Sequence, residues 1–419
     1  MVSVCFYFQV HQPYRVRKYP VFDIGKKTDY FSDNSESNLN NEKILKKVAT
    51  KCYLNANKVI LDLIKKHPQF KVAYSFSGVI LDQFIEFYPE VLDSFRELVK
   101  TGNVEILSET YYHSLSFLFD KEEFKEQVRE HNKKIKKLFD YTPKVFRNTE
   151  LIYNNDLAKT VEEMGYEGVI AEGADHILGW KSPNFVYQPL NSKIKLLLKN
   201  YKLSDDIAFR FSERSWESWP LTTEKFSEWV NGHNGSGDVI NLFMDYETLG
   251  EHQWEETGIF DFLRALPQKI LEHPDNNFKT PSEVIRDYPS RGELDFPYFV
   301  SWADVERDLS AWHSNQMQQS SMNSLYALKE DVLKTKDPEI IKTWRKLQTS
   351  DHFYYMCTKW FEDGDVHKYF NPYESPYEAF INFMNVLNDL KLRVSKKEIN
   401  ENSVFPEEFK KYPEIEGID

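Results

Sequence analysis

The stretch GDVINLFMDYETLG, from Gly237 to Gly250, constrains the fold of this chain more than any other. Val239 to Met244 is an almost unbroken apolar run. It is bounded by glycines and too short for a typical helix, so it reads as a buried strand. The run stops abruptly at Asp245, Tyr246 and Glu247. Carboxylates at the end of an interior strand are costly to bury unless paired or put to use. Parallel sheets gather their ligand sites at the carboxyl ends of their strands, which makes Asp245 a candidate functional group. The plainer alternative is that Asp245 only bonds to a neighbouring loop.

The same pattern recurs upstream. Strands are predicted at Val2 to Val10, Val72 to Phe76, Val104 to Leu107, Val145 to Arg147 and Gly168 to Ala171. They run into His11, Glu109 with His113 beyond, Glu150, and Glu172 with Asp175 and His176. Helical spacing occupies Asn41 to Lys66, Val79 to Lys100 with a break near Pro89, Lys121 to Phe139, Asn155 to Met164 and Thr223 to Asn231. The polar segment from Asp23 to Asn41 reads as a long surface loop. Alternation of strand and helix as far as about residue 275 predicts a βα barrel or an open parallel sheet. After about Thr280 come long helical patterns at Ser310 to Leu333, Pro338 to Lys359 and Pro376 to Lys391, read as a bundle beside the barrel. The polar tail from Lys397 onward is expected to fray at its end.

Composition narrows the function classes. The 419 residues suffice for one barrel with additions. A formal charge of -13 disfavours nucleic acid and anionic membranes, which need an attractive field for phosphate. No stretch has the apolar length of a membrane helix. The apolar run at the N-terminus lacks a preceding basic region and reads as a first strand rather than a secretion signal. Cys5, Cys52 and Cys357 form no CxxC pair, which suggests a reducing, cytoplasmic setting. Aromatic residues make up 15% of the chain, enough to line a groove for a flat, hydroxylated ligand as well as to fill a core.

In a barrel, His11, Glu109, His113, Glu150, Glu172, Asp175, His176, Asp245 and Glu247 would converge on one face. Two carboxylates flanking a glycosidic bond are the minimum for acetal chemistry, one attacking or activating water and the other protonating the leaving oxygen. The histidines and carboxylates are also plausible ligands for a divalent ion, a weaker reading because no HExxH spacing or other strong zinc signature is present. Glu109 and Asp175 could merely orient neighbours, and His176 and Glu247 could stand behind the reacting groups.

Five segments resemble, in order, the recurring regions of glycoside hydrolase family 57. They are His11-Gln12-Pro13, GNVEILSETYYHS at Gly102 to Ser114, FRNTE at Phe146 to Glu150, MDYETLGEH at Met244 to His252, and WADVERDLSAWHSNQMQ at Trp302 to Gln318. The resemblance covers roughly residues 1 to 330, and the last two segments together carry most of its specificity. It implies an α/β fold: an incomplete seven-stranded (β/α) barrel followed by a C-terminal helical bundle. The catalytic barrel is expected over 1–280, with a helical region over 281–419 packed on its rim and contributing to the cleft. The implied activity is retaining hydrolysis of α-1,4-glucosidic bonds in an α-glucan or malto-oligosaccharide, with no cofactor and no metal. The implied nucleophile is Glu150 and the implied acid/base is Asp245. His11, His113, Trp302, Asp304 and Trp312 are the implied substrate contacts. The third segment departs from the commoner pattern, because Arg147, Asn148 and Thr149 stand where the family more often has a Trp and small residues. Alternatives are 4-α-glucanotransfer, a metal-dependent carbohydrate deacetylase or mannosidase-like hydrolase, and a non-catalytic glucan-binding protein.

Overall fold

The computed structural model describes residues 1–35, 37–359 and 366–402, with side chains in the last helix described as far as 397. The strands are β1 (Ser3–Val10), β2 (Val72–Phe76), β3 (Val104–Leu107), β4 (Val145–Arg147), β5 (Gly168–Glu172), β6 (Gln188–Pro189), β7 (Lys195–Lys199), β8 (Val239–Asp245), β9 (Asn277–Phe278) and β10 (Glu293–Leu294). One parallel sheet runs β3-β2-β1-β8, with β9 added beside β1, and a second runs β4-β5-β7. A parallel bridge between Ser108 and Phe146 joins the two sheets. At the opposite seam, the Asn200 amide donates to the Asn241 carbonyl (2.9 Å) and the Asn241 side chain donates to the Leu198 carbonyl (2.9 Å). The result is an incomplete barrel of seven principal strands followed by a helix-rich region.

Alternation along each strand decides what the barrel encloses. Val4, Phe6, Phe8 and Val10 of β1 pack outward against the flanking helices, while Cys5 and Tyr7 face inward. On β8, Ile240, Leu242 and Met244 pack outward, and Val239 and Phe243 inward. The inner layer is closed by Tyr7, whose ring meets Phe243 edge-on at 5.5 Å and whose hydroxyl shares a hydrogen bond with Ser75 (2.7 Å). Register then sets Gln9 beside both Ser75 and Asp245, so the two-residue period carries Asp245 to the inside of the barrel mouth.

Strand boundaries match the expectations closely, whereas several helices depart from them. The predicted helix from Asn41 to Lys66 contains a wide π turn at Ala49–Tyr53. One extra residue in a turn leaves the three- and four-residue apolar spacing on either side intact, so the pattern does not reveal it. Ser310 to Leu333 divides into Ser310–His313, Gln316–Tyr326 and Lys329–Lys334, because Asn315 caps a new helix by accepting the Gln318 amide (3.0 Å). Pro338 to Lys359 divides into Pro338–Lys346 and Ser350–Tyr354; between them Thr349 leaves the helical path and bridges to Ser114. The final helix continues to Asn402 rather than stopping at Lys391, and the rest of the tail lies outside the described residues.

The segment expected as a surface loop, Asp23 to Asn41, is partly interior. Tyr30 and Leu39 are buried in the core of the helical region, and the Tyr30 hydroxyl donates to Asp389. Two apolar anchors in an otherwise polar run suffice to pull it inward. Among the described residues, no helix is long and apolar enough to cross a membrane.

The π turn meets the loop that follows β8. Cys52 donates its thiol to the Tyr246 carbonyl (3.1 Å), and the Tyr53 hydroxyl donates to Glu247. Gly250 closes this contact with φ +108°, and a Cβ there would lie 2.1 Å from the Lys51 carbonyl oxygen. Both the backbone conformation and the space require glycine. Gly250→Ala is therefore expected to destabilise the fold by about 2 kcal/mol or more. Urea denaturation with unchanged stability would show that the loop and helix can separate without loss.

Candidate active site

The carboxyl ends of the strands carry a layer of polar side chains: Gln9 on β1, Glu109 just past β3, Arg147 on β4, Glu172 on β5, Lys199 on β7 and Asp245 on β8. Glu109, Arg147 and Glu172 are fully buried. Buried charges persist only when paired, and here the signs alternate. Arg147 donates to Glu109 (3.2 Å) and to the side-chain amide oxygen of Gln9. Lys199 pairs with Asp205 (3.0 Å) and lies 3.7 Å from Glu172, which also meets Arg307 at 2.9 Å.

Glu150 stands above this layer in an unusual backbone conformation. It and Leu151 both have positive φ, +57° and +51°. Non-glycine residues adopt that region only when neighbours over-determine it. The Leu151 and Ile152 amides bond back to the Asn148 and Thr149 carbonyls (3.0 and 2.9 Å), and the Asn148 side chain donates to the Ile152 carbonyl (3.0 Å). The Thr149 and Thr110 hydroxyls share a further bond of 3.0 Å. The residues at which the third motif departs from the commoner pattern thus build the turn and the charge pair beneath it.

Both oxygens of the Glu150 carboxylate are held. His113 Nε2 lies 3.0 Å from one, and the Trp302 indole N–H donates to the other at 2.7 Å. The other ring nitrogen of His113 lies 3.2 Å from Glu109. Burial alone would lower the His113 pKa, but its bonds to Glu109 and Glu150 outweigh that and lift it to about 9. His113 is therefore an imidazolium bridging two carboxylates. Burial pushes the Glu150 pKa up, but the bond and charge of His113 outweigh it and leave Glu150 below the ordinary range. Glu109 falls to about 2, again against burial, because of His113 and Arg147.

Asp245 behaves in the opposite way. Burial, followed by the negative charge of Glu150, lifts its pKa to about 7, more than Arg147, His113 and Lys199 lower it. One cleft therefore holds an ionised carboxylate and a carboxylic acid that keeps its proton near neutrality.

The expected substrate contacts are placed as follows. Trp302 is against Glu150, with the Arg147 and Lys199 cations each 5.5 Å from its ring. His11 stacks on His113 at 4.0 Å, and its nitrogens meet Ser77 (2.7 Å) and Asp351 (2.9 Å). Because burial and the charge of His113 both lower its pKa, His11 is neutral, and neither nitrogen is free for a sugar hydroxyl. His113 is likewise fully engaged. Asp304 is turned away into contacts with His367 (3.0 Å) and Lys359 (3.5 Å). Trp312 is 1% exposed in the helical core and offers no free ring face. Of the five expected contacts, Trp302 stands against Glu150, His11 and His113 brace it, and Asp304 and Trp312 are engaged within the helical region. Glu247 is buried beside Tyr53, whereas Asp175 accepts from Tyr201 (2.7 Å) and His176 stacks on Tyr298 at 5.9 Å.

Three participants carry no motif. Asp351 comes from a short helix of the helical region, Gln9 is the inward residue before the end of β1, and Lys199 ends KLLLK in β7. A charge terminating an apolar strand was the available signal for Lys199, and none was available for Asp351. The ligand atoms of His11, His113 and Asp351 lie within 4.8 Å of one another, a spacing compatible with a cation. A cation there would have to displace the proton that His113 shares with Glu150 and Glu109.

The raised Asp245 pKa has a consequence for stability. A carboxyl with a native pKa above its unfolded value contributes stability in full below about pH 4, and this is lost as the pH rises through about 7. Asp245→Asn should abolish that slope and, above pH 7, exceed the native protein in stability by about 4 kcal/mol. Equal stability of the two proteins at pH 5 and pH 8 would place the Asp245 pKa near its ordinary value.

The sequence profile of Glycosyl hydrolase family 57 matches residues 5–297. The chain is 44% identical over 415 residues to a Methanocaldococcus jannaschii protein named "Putative alpha-amylase", spanning 96% of this chain and 87% of that protein. An alpha-amylase of Pyrococcus abyssi is 30% identical over 259 residues, 60% of this chain, but the match spans only 38% of that longer protein. Among solved structures, a GH57 branching enzyme from Thermococcus kodakaraensis superposes with a TM-score of 0.68 at 14% identity, covering 96% of this chain and 92% of that one. That likeness is one of fold. The match along most of the chain, with the parallel barrel and helix-rich region already described, establishes that this protein belongs to glycosyl hydrolase family 57.

Proposed function

We propose that this protein acts on α-glucan or malto-oligosaccharide and cleaves α-1,4-glucosidic bonds with retention of configuration. The carrying observation is the pairing of Glu150, fixed by His113 (3.0 Å) and Trp302 (2.7 Å), with Asp245 at the end of β8 in the same barrel mouth, where burial and the Glu150 charge lift the Asp245 pKa while His113 lowers that of Glu150. Asp245 delivers its proton to the glycosidic oxygen as Glu150 attacks the anomeric carbon, forming a glycosyl-enzyme. Asp245, now ionised, takes a proton from the incoming water, which attacks the same carbon and frees Glu150. His113 and Trp302 keep Glu150 ionised and oriented before attack. His11 braces His113 through stacking, and Asp351 holds His11 from the helical side.

A sugar hydroxyl in place of water would give 4-α-glucanotransfer by the same two steps. The names of the relatives support an α-glucan substrate, and the partition between acceptors is read from products on maltotriose. We take residues 1–280 as the catalytic barrel and 281–419 as the helical region completing the cleft, a reading supported by Trp302 and Asp351. Three buried free cysteines support a cytoplasmic location.

Asp245→Asn should lower turnover on unactivated malto-oligosaccharide by about 10²–10⁴-fold, yet spare much more of the activity on an α-glycosyl fluoride, which needs little protonation. Added azide should then yield an α-glycosyl azide. Glu150→Gln should lose both reactions. If the two variants exchange these behaviours, the roles exchange with them.

The pH–rate profile of the native enzyme should fall on its alkaline side with an apparent pKa of about 7, as Asp245 loses its proton. Activity should survive exhaustive chelation. Loss on chelation with recovery by one equivalent of a divalent ion would instead favour a metal hydrolase built on His11, His113 and Asp351.

A further inference from the structure

A concavity of about 570 Å³ lies away from the catalytic pair, lined by Trp180, Phe185, Tyr187, Asp238 and Arg291 among others. Asp238 immediately precedes β8, and Asp245 ends it. Seven residues of strand separate the concavity from the catalytic acid by roughly 23 Å. It therefore does not belong to the cleft described above.

Its chemistry is specific in what it leaves free. Asp238 and Arg291 satisfy each other through two bonds of 2.9 Å, and the Arg291 guanidinium also lies 5.4 Å from the Phe185 ring. The Lys181 ammonium is taken by the Glu293 carbonyl (2.9 Å). The Asp238–Arg291 pair cancels its own charge, while Lys181, held by a neutral carbonyl, and Met1 add donors at the margin of the hollow. What remains is a Trp180 indole 91% exposed, beside a planar carboxylate–guanidinium pair with further donor and acceptor sites at its edge. An indole face suits the C–H face of a pyranose, and the ion pair suits adjacent hydroxyls. A neutral polyhydroxylated chain matches both features.

We propose that this concavity is a second α-glucan-binding site, which holds a remote stretch of a polymeric substrate while the catalytic pair works on another. The proposal rests on the α-glucan reading of the active site. Its benefit is one of effective concentration: a chain held at one point presents its other segments to the cleft without a fresh encounter. Substrates too short to reach both places gain nothing.

The test compares Trp180→Ala with the native ring, first in the Glu150→Gln background to prevent turnover. Binding to amylose is measured by affinity electrophoresis, and kinetics in the active enzyme are followed on amylose and on maltotriose. Removing the ring should weaken amylose binding about tenfold, on the scale of one buried aromatic face, and lower kcat/KM on amylose similarly. Maltotriose kinetics should not change. Because Trp180 is almost wholly exposed, the substitution leaves the core untouched; Arg291→Ala, which opens the ion pair, should reproduce the amylose-selective loss. Amylose binding and turnover unchanged in both variants would overturn the proposal, as would an equal loss on maltotriose. Inactivity of the native enzyme on both substrates would instead overturn the α-glucan reading, and is distinguishable because the second site is read by binding alone.

Discussion

A single imidazolium shared by two carboxylates sets the electrical character of the cleft. His113 keeps Glu109 and Glu150 ionised where burial would otherwise neutralise them. Glu150, once ionised, holds the proton on Asp245. Three ionisation states thus depend on one ring, and the ring depends on its packing against His11. Only two of these groups leave the state that water would favour at neutral pH, His113 by keeping its proton and Asp245 by keeping its own, and the cost in stability falls on Asp245. The alternating charges on the neighbouring strand ends prevent that concentration of carboxylates from becoming prohibitive.

The helical region takes part in the site at two levels. Asp351 reaches His11 directly, and the loop beginning at Trp302 is clamped from several sides. Its backbone bonds to Glu150, Arg307 returns to Glu172, and Asp304 is held by His367. Asp304 and Arg307 both have positive φ, as expected where a short loop must make several contacts at once. The buried anchors Tyr30 and Leu39 join the early chain to the same helical core, so barrel and helices share packing from both ends of the sequence.

The strands were legible in sequence because doubly covered parallel strands are continuous apolar runs with sharp polar ends. The catalytic candidates were legible for the same reason: Asp245 and Glu150 follow such runs. The supporting cast was less so. His11 and His113 are recognisable as important but not as neutral and charged partners of one another, a difference set by what each ring touches in three dimensions. Asp351 belongs to an ordinary amphipathic helix, and nothing local marks it. The helix breaks at Asn315 and Thr349 escaped the apolar period because a cap and a bridge are made by single side chains, below the resolution of a periodic pattern.

The wide turn at Ala49–Tyr53 ties the length of a peripheral helix to the orientation of the loop that follows Asp245. Each residue of an α-helix rotates the chain by about 100°, so one residue more or fewer changes which side chain faces inward. Here the added residue brings Cys52 and Tyr53 into phase with Tyr246 and Glu247. Insertions and deletions in a helix on the outside of a barrel ordinarily slide the surface pattern and little else. In this protein they would act as a vernier on the active site, and the helix can drift in composition far more freely than in length.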